Sequence, residues 1–123
     1  ATNNVNKKRK SKMSYEEEIV KYLATLQVGE ILSRKQIIEG VHNLYGRNKS
    51  SIIPSDYCYN IVNYDIRAHD FEKGHPRLLE WIECGKYRYL GMNYPYTGII
   101  THKGRIVGNW KNGTYFVNID YQE

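Results

Sequence analysis

No window of the sequence approaches 18 consecutive apolar residues, so no segment reads as a membrane-spanning helix. The first residues carry no apolar stretch and no small-residue cleavage site, so no secretory leader is expected. Cysteine is scarce. Cys58 and Cys84 are too few for a disulfide scaffold and fit a reduced, cytoplasmic protein. No glycine-rich run opens a helix, so a phosphate-cradling loop is excluded: Gly85, Gly91 and Gly98 are isolated turn residues. Acidic excess is missing too, which argues against a DNA mimic: from residue 14 onward 13 basic residues face 13 acidic ones. Phe and Trp are limited to two each, whereas Tyr occurs twelve times. Tyr combines an apolar body with a polar tip and suits half-buried surfaces and interfaces.

The 123 residues fit one domain, and 41% hydrophobic residues suffice for one core. The net charge of +5 belongs to the N-terminal stretch, where Lys7, Lys8, Arg9, Lys10 and Lys12 stand with no acid before Glu16. Residues 1–13 read as a disordered basic arm or linker, and Met13–Ser14 as a natural start; residues 14–123 read as a single domain. Charge is uneven within that domain. Residues 14–33 hold one base and four acids, and residues 34–111 hold 12 bases and 7 acids, which suits one nucleic-acid-facing surface.

Ser14, with Glu17 at capping-box spacing and Glu16 and Glu18 beside it, starts an amphipathic helix over residues 15–26. Glu30–Leu32 reads as a short strand. Ser33 caps a second helix, whose apolar stripe is Ile37, Ile38, Val41, Leu44 and Tyr45 and whose natural end is Gly46. After a polar loop, Pro54–Ser55–Asp56 starts an expected third helix over 55–63, with Tyr57, Cys58, Ile61 and Val62 on one face. Residues 64–76 read as a loop. Residues 77–83 and 86–90 then form a hairpin about Cys84–Gly85, residues 99–107 a second about Lys103–Gly104, and Asn112–Gly113 signals a third, followed by a strand over 114–117.

Helix, strand, helix, helix and hairpin follow one another in the order of a winged helix-turn-helix. The fold class expected is α+β, with three N-terminal helices, a β-hairpin wing and additional C-terminal antiparallel strands. Helix 55–63 would enter the major groove, and Asn is suited to adenine because its amide both donates and accepts. The expected double-stranded-DNA-binding residues are Arg47, Asn48, Lys49 and Ser50 before the helix and Ser55, Tyr57, Tyr59, Asn60 and Asn63 on it. Lys86 and Arg88 on the wing complete the set.

The string from Tyr45 to Asn60, YGRNKSSIIPSDYCYN, together with GKYRYLG at 85–91 and NYPYTG at 93–98, resembles an uncharacterised bacterial and phage domain family. The resemblance covers residues 14–112. It is specific for the family and implies no chemistry.

No catalytic set emerges. Cys58, His69, His75 and Cys84 lack the paired spacing of a zinc site, and Glu80 and Glu83 point to opposite faces of a strand, unlike the acids of a metal nuclease. Neither an enzyme, nor a metal, nor a cofactor is expected. The leading expectation is a non-catalytic, cytoplasmic duplex-DNA-binding domain that regulates transcription or targets a larger system. One rival is a protein-interaction module, such as a phage-encoded inhibitor of a host defence enzyme; another is a small nuclease or nucleotide-processing domain. A protein partner or homodimer, with strands 99–119 at the interface, fits the first two. Tyr94–Gly98 is an aromatic loop suited to a base, a peptide or a planar ligand, or else packed over the core edge.

Overall fold

The computed structural model describes residues 13–63 and 74–117. The arm expected over 1–13 and the loop expected over 64–76 thus fall largely outside the described residues, as do His69 and the last two residues of strands 99–119.

Helix α1 spans Tyr15–Leu23, and α2 spans Arg34–Tyr45. Both begin with a reciprocal capping box. The Ser14 hydroxyl accepts from Glu17 N–H while Glu17 accepts from Ser14 N–H, and Ser33 and Gln36 repeat the arrangement. Helix α1 ends three residues short of the apolar pattern, because a tight turn over 24–26 brings Leu26 back onto the core. Helix α2 ends at Gly46, whose φ of 72° is the left-handed conformation that glycine adopts without steric cost. The helices meet at Gly40, where a Cβ would overlap the Tyr22 ring.

Strands β1 (Ile31–Ser33), β2 (Leu79–Glu83) and β3 (Lys86–Tyr89) form an antiparallel sheet in the order β1-β3-β2. Ile19, Leu23, Ile37, Ile38 and Val41 of the helices pack with Leu32, Leu79 and Tyr87 of this sheet into a first core. Strands β4 (Gly98–His102), β5 (Arg105–Lys111) and β6 (Thr114–Val117) form a second sheet, a meander. Its turns, Lys103–Gly104 and Asn112–Gly113, have positive φ at both central residues, as two-residue hairpins require. Tyr59, Val62, Leu90, Tyr96, Ile100, Val107 and Trp110 form the second core.

The winged helix-turn-helix expectation is not met. Among the described residues, two α-helices with β1 between them are followed by five further strands, the six strands forming two separate sheets, and no third α-helix spans 55–63. Pro54–Tyr57 makes a single 3-10 turn, and the chain then runs extended. Tyr57, Cys58 and Tyr59 are all buried in succession, a pattern no helix face produces. Extended pairing offers more partners. Cys58 bridges Leu79 of the first sheet and Ile61 bridges Thr101 of the second, both in parallel. Tyr59 N–H donates to Leu79 O at 2.8 Å, and Val62 N–H donates to Thr101 O at 3.0 Å. The segment therefore stitches the two sheets together, and aromatic and β-branched residues favour that conformation. The expected wing is also absent as a projecting element. The β2–β3 hairpin closes tightly, with Glu83 opposite Lys86, and β3 is the central strand of its sheet.

Candidate nucleic-acid interface

Most of the expected DNA-facing side chains are engaged within the fold. The Arg47 guanidinium grips the Glu18 carboxylate through two bonds of 2.9 Å, donates to Met13 O at 3.0 Å, and lies 5.1 Å over the Tyr15 ring. Glu18 is 1% exposed, so Arg47 neutralises a buried charge, and that hydrogen bonding raises its own pKa further. Asn48 caps a 3-10 turn over Lys49–Ser51 by accepting from Ser50 N–H and Ser50 hydroxyl. Asn60 acts as a surrogate backbone for Trp81, donating to its carbonyl and accepting from its N–H at 2.9 Å each. Asn63 donates to Ser55 Oγ and Asp56 Oδ1 at 2.8 Å. Tyr57 is buried, with its ring 5.0 Å from that of His75. Tyr59 is buried in the second core, where its hydroxyl donates to Gly91 O at 2.6 Å. Lys86 pairs with Glu83 at 3.1 Å and Arg88 with Glu80 at 2.8 Å, across or beside the hairpin.

Lys49 remains. It lines a depression of about 420 Å³ together with Ser50, Arg34, Lys35, Ile38 and Glu39. Arg34, Lys35 and Lys49 are exposed and form no ion pair among the described residues. Arg34 and Lys35 escaped the sequence reading, although a signal was present. They occupy the first turn of a capped helix, where the dipole disfavours cations, and α2 has no acid there. Three cations on one side have the chemistry to hold phosphate oxygens.

The other described residues offer little reactive chemistry. Burial pushes the Cys58 thiol far above its ordinary range, so it is not an activated thiolate. The Tyr96 hydroxyl donates to Glu80 at 3.0 Å, and burial together with that bond raises its pKa strongly. Tyr96 thus packs over the core edge, whereas Tyr94 stays half-buried. Among the described residues no group of three or more His, Cys, Asp or Glu is placed to hold a metal ion. Nor is any helix among them long and apolar enough to cross a membrane.

Residues 14–117 match the family described as a domain of unknown function, DUF7225. The chain belongs to this family. It is also 39% identical over 93 residues to the uncharacterized protein YnaC of Bacillus subtilis (strain 168), a match that covers 71% of this chain and 33% of that protein. The chain therefore spans about a third of the curated relative it matches. No solved structure matches. These relationships agree with the uncharacterised bacterial family to which the GRN…SIIPSDYCYN string pointed, and DUF7225 membership extends over both sheets.

Proposed function

We propose that this domain binds double-stranded DNA without catalysis, gripping phosphates with Arg34 and Lys35 at the start of α2 and with Lys49 of the neighbouring 3-10 turn. One observation carries the reading. Most of the other cations placed in the expected interface are bound to carboxylates of the fold, whereas these three form no ion pair among the described residues, although Glu39 shares their depression. Cations at a helix N-terminus cost stability, so their grouping there suits an anionic partner that repays the cost. Affinity of this kind is electrostatic and not base-specific, which fits Asn60 and Asn63 being spent on backbone and side-chain partners. Such a domain would act in the cytoplasm, where its two thiols stay reduced.

The test is a titration of the full chain against random-sequence duplex at several salt concentrations. A variant with Lys7, Lys8, Arg9, Lys10 and Lys12 replaced by Gln runs in parallel. Binding that persists in the variant, with a log–log salt slope of about −3 for three phosphate contacts, supports the α2 surface. Loss of all binding in the variant assigns the affinity to the N-terminal stretch and removes the proposal.

A protein-interaction reading is favoured by one separate observation. Ile99, Ile106 and Phe116 are 52%, 56% and 51% exposed on one face of the second sheet. The simplest occupant is a second copy of the chain. Light scattering that finds a dimer in the wild type and a monomer in Phe116→Asp supports this; a monomer at every concentration discards it.

A further inference from the structure

The second core opens outward into a cavity of about 290 Å³ that the phosphate surface does not use. Its floor is aromatic and fixed. Tyr59 and Trp110 are 2% and 7% exposed, meet edge to face at 5.0 Å, and are tied by the Trp110 indole N–H donating to Tyr59 O at 2.7 Å. Its walls are aromatic and half-open. Tyr94 stands 6.5 Å from Tyr59, and Tyr115 stands 5.6 Å from Trp110. Pro76, Met92 and Gly113 also line it, together with two polar residues. Arg77 is buried and donates to Asp56 O at 3.2 Å. Asn93 is held at a φ of 60°, and its amide has no partner among the described residues.

We infer that this cavity is a binding site for a single nucleobase, stacked against Tyr94 or Tyr115, with its carbonyl edge toward Arg77 and Asn93. Three features select that class. The size falls just below the range of about 300–1,000 Å³ typical of ligand pockets, so it suits one ring system. The aromatic walls select a planar ligand, since stacking is strong and tolerant of base identity. The charged lining residue is a guanidinium, which donates but does not accept. The edge of the ligand that faces it therefore bears acceptors. Asn93 adds both a donor and an acceptor at the rim, as base-edge recognition requires. The inference goes beyond the duplex reading and does not rest on it, because none of these residues belongs to the α2 surface.

The experiment titrates the full chain, in a Trp81→Phe background, with each of the four nucleoside 5′-monophosphates and with ribose 5-phosphate, following the fluorescence of Trp110. The expected result is saturable quenching by at least one nucleotide and none by ribose 5-phosphate. Tyr94→Ala and Tyr115→Ala together should weaken binding about tenfold or more, while Tyr94→Phe and Tyr115→Phe together leave it within about twofold. The triple variant Arg34→Ala, Lys35→Ala, Lys49→Ala should bind the mononucleotide as the wild type does, so failure of the duplex reading leaves this result standing. No saturable response to any nucleotide overturns the inference. Equal binding of ribose 5-phosphate does so too, because it shows a phosphate on Arg77 rather than a stacked base. Unchanged binding by the folded double Ala variant likewise removes the stacking walls and with them the site.

Discussion

The two helices begin alike and then diverge. Each opens on a serine in a reciprocal capping box, which satisfies the first N–H groups locally. Helix α1 then places Glu16, Glu17 and Glu18 in its first turn, in agreement with the dipole, and draws Glu18 inward to meet Arg47. Helix α2 places Arg34 and Lys35 there, against the dipole, and leaves them exposed beside Lys49. The start of α1 serves the fold. The start of α2 carries a small electrostatic cost, with Glu39 the one acid lining the same depression, and the proposed duplex surface is built on that cost.

The largest effect should come from cutting the α1 side. Arg47→Ala strands the Glu18 carboxylate in the core and should cost about 3–5 kcal/mol in urea denaturation. Lys49→Ala, at the α2 side, should change stability by no more than about 0.5 kcal/mol. Equal losses in the two variants would erase the distinction.

Removing the caps should affect both helices similarly. Ser14→Ala and Ser33→Ala should each cost about 1 kcal/mol, since the boxes have the same geometry. Thermal denaturation of the two variants checks this symmetry. A much larger loss at Ser33 would mean that its cap also compensates the cations behind it.

Reversing charge should separate stability from binding. Arg34→Glu and Lys35→Glu should each stabilise the protein by about 0.3–1 kcal/mol at low salt, because a carboxylate suits a helix N-terminus. The same changes should weaken duplex binding. At α1, Glu17→Lys should destabilise and leave DNA affinity unchanged or slightly higher.

The smallest effects concern titration and reactivity around the first core. Burial raises the Tyr87 pKa to about 12, above its unfolded value near 10. A raised folded pKa means that the native state holds its proton longer. Tyr87 therefore contributes full stability below about pH 10 and loses that contribution between about pH 10 and 12. Tyrosinate absorbance should show a late-titrating class that disappears on unfolding. Cys84 is exposed and Cys58 buried, so a thiol reagent should modify one cysteine in the native protein and both in denaturant. Rapid modification of both in the native state would show that the first core opens readily.

Local chemistry was legible in the sequence, and long-range pairing was not. Ser14, Ser33, Gly46, Lys103–Gly104 and Asn112–Gly113 act through neighbours a few residues away, and each makes the cap or turn its residue type suggests. The segment 55–63 offered apolar residues at spacings compatible with a helix. Its conformation was decided by Leu79 and Thr101, on two sheets whose positions no local pattern specifies. The candidate site followed the same rule. Arg47 looked like a loop cation because its partner, Glu18, lies 29 residues earlier. Asn60 looked like a base reader because Trp81 lies 21 residues later. Arg34 and Lys35 stood beside a recognisable cap with no acid following. Their departure from dipole preference was readable and was outweighed by the apparent recognition helix.

The most direct measurement compares Arg34→Ala, Lys35→Ala, Lys49→Ala as a triple variant with Arg47→Ala, scoring melting temperature and duplex affinity for both. The account predicts that the triple variant melts like the wild type and has lost most of its salt-dependent binding, while the Arg47 variant melts far lower and, at a temperature where it is still folded, binds DNA. Wild-type DNA affinity in the folded triple variant would contradict the account.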